Sequence, residues 1–295
     1  MGIDFSSRSF GKWILAGEHA VLRGCPALVF PISSRFLDLE YRATRQDLEL
    51  ILQGDHGNEL QLLIWGVLEK ACELKGLSRS QLKGQLVLTS SIPVGAGMGA
   101  SAALCVALTR WLGFLGFVAE SDYYEFARQL ENMFHGESSG VDIAVALSGQ
   151  PLRFVRDGAR ELFTPLWQPQ WYISYSGQRG VTLECVNKVK ALIAAQPELG
   201  AALDEQMRQA VELAQGALLK PQAEGWNQLL QAISLADECF ERWGLSEGAP
   251  QTHMQWLREQ GAIAVKPTGS GGGGYVLSLW TSEPKVEVKK LLVKA

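Results

Sequence analysis

The sequence contains no run of lysine or arginine longer than the pair Lys289–Lys290. With a formal net charge of −4 over 295 residues, it offers no broad basic surface for nucleic acid, so an anionic partner must be recognised locally. The five cysteines form no Cys-x-x-Cys pair and no zinc spacing. Such unpaired thiols are typical of a reducing compartment, and we expect a cytoplasmic protein with no nucleic-acid or membrane partner.

Long hydrophobic runs are also scarce. The stretch 101–119 carries Arg110 as its single charge and approaches the length of a membrane span, but it directly follows a glycine-rich loop, which favours a buried helix. The length and the 47% hydrophobic content suit two ordinary domains. Because Pro165 and Pro169 interrupt the pattern, we place the boundary near residue 168 and predict domains 1–168 and 169–295.

The spacing of apolar residues predicts a mixed α/β protein. The first half begins with short strands joined by tight loops over 12–42 and has a further strand at 85–89. Further strands are predicted at 171–175, 262–266 and 274–281. Helices are predicted over 60–74, 102–112, 122–134, from the 138–142 turn through Leu147, 182–195, 200–219, 226–243 and 251–260.

A glycine-rich segment, residues 91–103, leads into the second of these helices. Gly95, Gly97 and Gly99 stand at alternate positions, where glycine permits positive φ and a close approach of backbone N–H groups to an anion. The segment lacks the lysine of a Walker A loop and the spacing of a dinucleotide fingerprint. It predicts a phosphate-binding loop of a third kind, with a glycine turn that caps a buried helix as the structural alternative.

A second glycine cluster, residues 266–274, has five glycines in its last six positions. Each ordered glycine costs about 0.5–1 kcal/mol relative to alanine. A flexible solvent loop is one explanation. The presence of two such clusters in one chain favours the other, a shared anionic ligand.

Several charged residues stand where they need partners. Lys12 lies between apolar strand residues, and Glu18 and His19 follow it closely. Lys12 either reaches solvent or faces a phosphoryl group or a carboxylate, while Glu18 either pairs locally with His19 or serves a ligand. Glu131 and Asp142 are brought back together by the intervening turn, and two carboxylates could divide magnesium binding and proton acceptance. A Ser139-x-x-Asp142 capping box is the structural alternative.

These segments together resemble the GHMP small-molecule kinases over nearly the whole chain. Residues 11–28 are similar to the first motif of that family, 93–102 to the second and 266–274 to the third. The resemblance implies a two-domain α/β fold, in which the N-terminal domain has a left-handed β-α-β crossover and the C-terminal domain is ferredoxin-like. It further implies ATP-dependent phosphorylation of the primary hydroxyl of mevalonate or a related hydroxyl compound by a monomer or homodimer.

The resemblance also implies residue roles. Asp142 is expected to be the catalytic base, with Lys12 as its cationic neighbour. Glu131 and Ser101 are expected to hold Mg²⁺. ATP is expected to contact Pro93, Gly95, Ala96, Gly97, Met98, Gly99, Ala100 and Ser101. The acceptor substrate is expected to contact Glu18, His19, Thr182, Gly269, Ser270 and Gly271.

The chain departs from the family pattern at three positions. Ala100 stands where a first serine is common, Ser138 where mevalonate-phosphorylating members have proline, and Ile143 where they have asparagine. The acceptor is therefore less strictly specified than the chemistry. The alternatives are another kinase of the family, acting on phosphomevalonate or a sugar, and a ligand sensor without activity. A phosphorylated acceptor should require additional cations, for which Arg23, Arg35 and Arg179 are available.

Overall fold

The computed structural model of the protein describes residues 2–135 and 138–295. Its strands are β1 (Phe5–Ala16), β2 (Ala27–Asp47), β3 (Glu49–Gln53), β4 (Lys83–Ser90), β5 (Leu152–Phe154), β6 (Arg160–Leu162), β7 (Gln170–Tyr175), β8 (Ala264–Thr268), β9 (Tyr275–Trp280) and β10 (Val293–Lys294). Its helices are α1 (Gln61–Lys75), α2 (Ala100–Phe114), α3 (Tyr123–His135), α4 (Val141–Ser148), α5 (Thr182–Ala195), α6 (Pro197–Leu218), α7 (Gln222–Arg242), α8 (Ala249–Glu259) and α9 (Val286–Lys289).

The chain packs as two units. Unit 1 comprises the described residues up to Lys12 together with Pro31–Gly149, and unit 2 comprises Trp13–Phe30 and Gln150–Ala295. The predicted domain division at residue 168 stays a prediction.

In unit 1, β4 lies between β2 and β3, antiparallel to β2 and parallel to β3. The residues of β4 alternate between half-buried and buried, as expected for a strand with one face on a core. Helix α2 is buried along almost its whole length. Burial on nearly every side explains why its sequence is apolar all round and carries little charge.

In unit 2, the β2 residues 27–29 pair with β5, and β5 pairs with β6. A second, antiparallel sheet has the strand order β10-β7-β9-β8. Helices α6 and α7 pack against each other and bury apolar residues spaced three and four positions apart. The core beneath the second sheet includes Tyr172, Leu257 and Trp280.

Most predicted elements are confirmed. Helix α5 has the predicted bounds, and α1 ends at Gly76, whose φ of 63° is the left-handed conformation of a helix stop. The prediction of short strands over 12–42 is wrong, because β2 is one long strand that continues through Pro31. In the described part of the chain, no helix is long and apolar enough to cross a membrane.

Candidate active site

The first glycine loop joins β4 to α2 within unit 1. Gly95, Gly97 and Gly99 have φ values of 71°, 85° and 77°, so the alternation of glycines corresponds to backbone conformations that other residues rarely adopt. The first intrahelical bond of α2 runs from the Ala103 amide to the Gly99 carbonyl, 2.9 Å. The first amides of a helix have no acceptor within the helix, and such helix N-termini are where proteins commonly bind anions.

Two contacts fix this loop in place. The Lys12 amide donates to the Met98 carbonyl at 2.9 Å, and the Met98 side chain is buried. At the other end, the Val94 amide donates to Glu59 Oε2 at 3.1 Å, while Glu59 also contacts His56. Of the predicted ATP contacts, Met98 can therefore offer only its amide, since its side chain and carbonyl are engaged elsewhere.

The ammonium group of Lys12 lies 3.1 Å from Asp142 Oδ1. Lys12 is buried, whereas about a quarter of the Asp142 side chain is exposed. A Cβ atom built on Gly99 would come within 3.0 Å of the Lys12 side chain and 3.7 Å of Asp142 Oδ2. The predicted base and its cationic neighbour therefore lie directly beside the end of the phosphate-binding loop.

The capping-box alternative for Asp142 is wrong. Helix α4 has Gly140 as its N-cap residue, with φ of 81° and no side-chain capping bond. A box would need Ser139 at the cap position. Asp142 instead forms the ion pair with Lys12. Helix capping therefore does not account for the aspartate at this position.

Glu131 is buried near the end of α3, and its carboxylate accepts a hydrogen bond from the Ser138 hydroxyl. Burial raises the pKa of Glu131 to about 8, and the negative charge of Asp142 adds to this effect. The Ser138 hydroxyl also accepts the Gly140 amide at 3.1 Å. The Ser138 hydroxyl thus makes two hydrogen bonds that a proline could not make. Gly136 and Glu137, in the same motif, lie outside the described residues.

The residues expected to hold Mg²⁺ suit it chemically. The Glu131 carboxylate and the hydroxyl of Ser101, in the first turn of α2, are hard oxygen donors. A nearby divalent cation would also stabilise the charged form of Glu131, which burial disfavours. No cluster of three or more His, Cys, Asp or Glu within 2–135 and 138–295 forms an all-protein metal site. Mg²⁺ in phosphoryl-transfer enzymes is held in this sparse way, with phosphate oxygens completing its coordination.

In unit 2, Glu18 pairs with Lys266 of the second glycine cluster. The Lys266 ammonium donates to Glu18 Oε1 at 2.5 Å and to the Ile14 carbonyl at 3.4 Å. Both side chains are buried, and the ammonium lies 5.1 Å from the centre of the Phe240 ring. The Glu18 carboxylate therefore pairs with Lys266 and not locally with His19. The sequence analysis did not predict Lys266 as the partner of Glu18.

His19 has a strained backbone and a buried ring. Its φ of 58° and ψ of −47°, with a 2.6 Å bond from the Ala20 amide to the Glu18 carbonyl, define the rare and strained form of γ-turn. The ring Nε2 lies 2.8 Å from the Ser270 carbonyl, and burial lowers the His19 pKa to about 4. The neutral ring must carry its proton on Nε2, because a carbonyl oxygen only accepts.

The second glycine cluster is packed and not a flexible solvent loop. Gly271, Gly273 and Gly274 are buried. A Cβ atom on Gly273 would lie 2.6 Å from the Gly180 amide nitrogen, and one on Gly271 would lie 2.9 Å from the Phe240 ring. The glycines are therefore required for close packing.

Thr182 lies at the first position of α5, with its hydroxyl 3.5 Å from Ser270 Oγ. Of the residues predicted to contact the acceptor substrate, the structure thus brings His19 to the Ser270 carbonyl and Thr182 to the Ser270 hydroxyl.

Comparison with known proteins finds relatives of this chain in sequence and in fold. Residues 63–150 match the family model described as the GHMP kinases N-terminal domain. The mevalonate kinase of Thermococcus sibiricus is 27% identical over 299 residues, covering 91% of this chain and 86% of that protein. That of Aeropyrum pernix is 29% identical and covers 94% and 88%. The crystal structure of L. major mevalonate kinase in complex with R-mevalonate superposes with a TM-score of 0.76 at 23% identity, covering 95% and 88%.

The glycine loop and the lysine-paired aspartate are features of a small-molecule kinase, and residues 63–150 match the N-terminal domain model of the GHMP kinases. The chain is similar to the mevalonate kinases over nearly its whole length. The predicted fold class is thereby confirmed.

Proposed function

We propose that this chain catalyses the ATP-dependent phosphorylation of the primary hydroxyl of mevalonate, which gives 5-phosphomevalonate. The observation that carries the proposal is the Lys12–Asp142 pair beside Gly99, at the end of the glycine loop. Relatives named mevalonate kinase, matching more than nine tenths of the chain, support the choice of acceptor.

In this proposal Asp142 accepts the proton of the acceptor hydroxyl, whose oxygen attacks the γ-phosphorus of ATP in line. The bond from the γ-phosphorus to the bridging oxygen breaks on the opposite side, and ADP leaves with that oxygen. Lys12 stabilises the negative charge that develops on the hydroxyl oxygen. The amides of the glycine loop and the first turn of α2 bind the ATP phosphates. Glu131 and Ser101 would hold Mg²⁺, which neutralises phosphate charge when bound.

The acceptor is proposed to contact Glu18, His19, Thr182 and 269–271. The neutral His19 ring is oriented by its bond to Ser270, and Lys266 fixes the carboxylate of Glu18. Because the side chains of Glu18, His19 and Lys266 are buried and already hydrogen-bonded, they are held in place before a ligand arrives.

A phosphorylated acceptor is less well supported. Arg23, one of the cations available for it, forms two bonds with the Asp204 carboxylate at 2.6 and 2.5 Å. Its charge is compensated within the protein. Arg35 donates to the neighbouring Ser34 carbonyl, and Arg179 is exposed.

The decisive experiment measures ADP release from purified protein with Mg·ATP and, in turn, mevalonate, phosphomevalonate, galactose, homoserine and a heptose phosphate. We expect turnover with mevalonate, and loss of turnover with retained ATP binding in Asp142→Asn. Turnover with another acceptor alone would contradict the proposed substrate. Full activity of Asp142→Asn would remove Asp142 from the mechanism, and ATP binding with no turnover on any acceptor would favour a sensor.

A further inference from the structure

Arg110, in the last third of α2, bonds the main chain of two other elements of unit 1. Its Nη1 donates to the Arg8 carbonyl in β1 at 2.9 Å, and its Nη2 donates to the Leu147 carbonyl in α4 at 2.8 Å. The planar guanidinium holds its donors in a fixed fork, so bonds to two carbonyls fix their separation more tightly than a lysine would.

The elements joined by Arg110 carry groups assigned above to phosphoryl transfer. Lys12 follows Arg8 by four residues in β1, and Asp142 precedes Leu147 by five in α4. Lys12 and Asp142 meet at 3.1 Å. Strand β1 and helix α4 are thus joined at two points, the ion pair at one end and the Arg110 bridge at the other.

Helix α4 needs this second attachment. It has eight residues, too few to be stable alone. The Leu147 carbonyl belongs to its last turn, where carbonyls lack partners within the helix and a cation is favourable. Gly149, which ends the helix, packs against Phe10 of β1. The end of α4 remote from Asp142 is therefore held against β1 by Arg110 and by packing.

We infer that Arg110 is a positioning residue for phosphoryl transfer, and that its guanidinium sets the placement of Asp142 relative to Lys12 by bridging β1 and α4. The inference rests on the proposed function. Arg110 acts through the main chain and contacts neither ATP nor acceptor in this account. A displacement of about 1 Å at the reacting groups can lower the rate about 100-fold.

A small cation from solvent can take the place of the Arg110 guanidinium group in a truncated variant. Arg110 borders an open cavity of about 510 Å³, which Tyr123 and Glu120 also line. Truncation to alanine would enlarge this cavity, so a free guanidinium ion should enter and restore part of the bridge. A purely packing role would not respond to the added ion.

The test compares Arg110→Met, Arg110→Lys and Arg110→Ala with Arg8→Met. The Arg8 side chain pairs with Asp38 and lies over Phe36, while its carbonyl, the acceptor for Arg110, remains in the variant. We expect Arg110→Met to lower kcat about 10- to 100-fold, with KM for ATP changed less than about threefold. Arg110→Lys should keep part of the rate, millimolar guanidinium should raise that of Arg110→Ala, and Arg8→Met should match the parent protein.

A double variant distinguishes an effect of Arg110 on the placement of Asp142 from a loss of activity caused by general destabilisation of the fold. If Arg110 acts by placing Asp142, Arg110→Met should cause no further loss in the residual turnover of Asp142→Asn, measured at high enzyme concentration. An equal loss in both backgrounds, or a kcat for Arg110→Met within twofold of the parent, would overturn the inference.

The parent protein is assayed first on the acceptor panel. If it prefers another acceptor, the proposed substrate fails and the Arg110 variants are measured on that acceptor. If the parent protein turns over none of the acceptors, hydrogen exchange of the backbone amides of residues 144–148 is measured instead. We expect these amides to exchange faster in Arg110→Met than in Arg8→Met. Equal exchange rates in the two variants would overturn the inference.

Discussion

The imidazole of His19 is neutral at neutral pH because burial lowers its pKa to about 4. An unfolded histidine titrates near 6.5. Between these values the unfolded chain binds more protons than the folded one, so the free energy of unfolding rises with pH across this window. The expected contribution is about 3 kcal/mol, present above pH 6.5 and lost as the pH falls to about 4.

His19→Gln should remove this contribution while keeping a donor for Ser270. Asp237 acts in the opposite direction, because burial raises its pKa to about 6. The folded chain therefore binds the extra proton between the usual aspartate value and 6, and stability falls there as pH rises. The informative quantity is the difference between the parent and variant urea-unfolding curves, and a difference that does not change between pH 4 and 7 would contradict the assignment.

Lys266 compensates the charge of a buried carboxylate, and its removal should be costly. Lys266→Met takes the cation away from Glu18 in a region where both side chains are buried. We expect a loss of about 3–5 kcal/mol in the free energy of unfolding, measured by denaturant titration. Lys289→Met, at an exposed pair with Glu283, is the matched control and should cost less than about 1 kcal/mol. Equal effects at the two sites would refute the distinction.

At the scale of elements, the junction between the glycine loop and α2 leaves little room for a side chain at Gly99. Alanine there would meet Lys12 at 3.0 Å in addition to the strain of a positive φ. Gly116, beyond the other end of α2, has a similar φ of 82° but open space around it. We expect Gly99→Ala to lower kcat at least about tenfold, and Gly116→Ala to cost about 1 kcal/mol of stability with kcat unchanged. Similar kcat values for the two would show that the Gly99 contact is unimportant.

The sequence predicted the long helices well, but it missed both the continuity of the long strand β2 and the shortest strands. Periodic apolar residues predicted α5 and α1, and Gly76 additionally indicated where α1 ends. Strands β5 and β6 have three residues each and escaped detection, because alternation needs about four residues or more to be recognised.

The site was predictable where chemistry depends on motif spacing. Lys12 and Asp142 were expected to be neighbours, and they are. The supporting contacts of Ser138, Lys266 and Arg110 were not expected, because each depends on a fold that brings distant main-chain or side-chain atoms together.

For the whole molecule, nucleotide binding should appear as thermal stabilisation. A ligand at 100 times its Kd adds about 2.7 kcal/mol to the folded state, which corresponds to a rise in Tm of roughly 5 °C for a chain of this size. The rise should require Mg²⁺ and shrink when EDTA is added. Gly97, with φ of 85° and open space around it, allows a matched pair of variants.

Gly97→Asn and Gly97→Asp differ in charge and little else, and both residues tolerate positive φ. We expect Gly97→Asn to retain most of the Tm rise with Mg·ATP, and Gly97→Asp to lose it because a carboxylate repels the phosphates. Equal rises in the two variants would mean that the phosphates lie elsewhere.

The Lys12 amide anchors the first glycine loop, while the Lys12 side chain contacts Asp142. The anchor belongs to the main chain, so almost any residue except proline supplies it. A single codon change at Lys12 can therefore remove the side chain that pairs with Asp142 and still leave the main-chain bond to the first glycine loop intact. The fold thus has a short evolutionary route from catalyst to receptor.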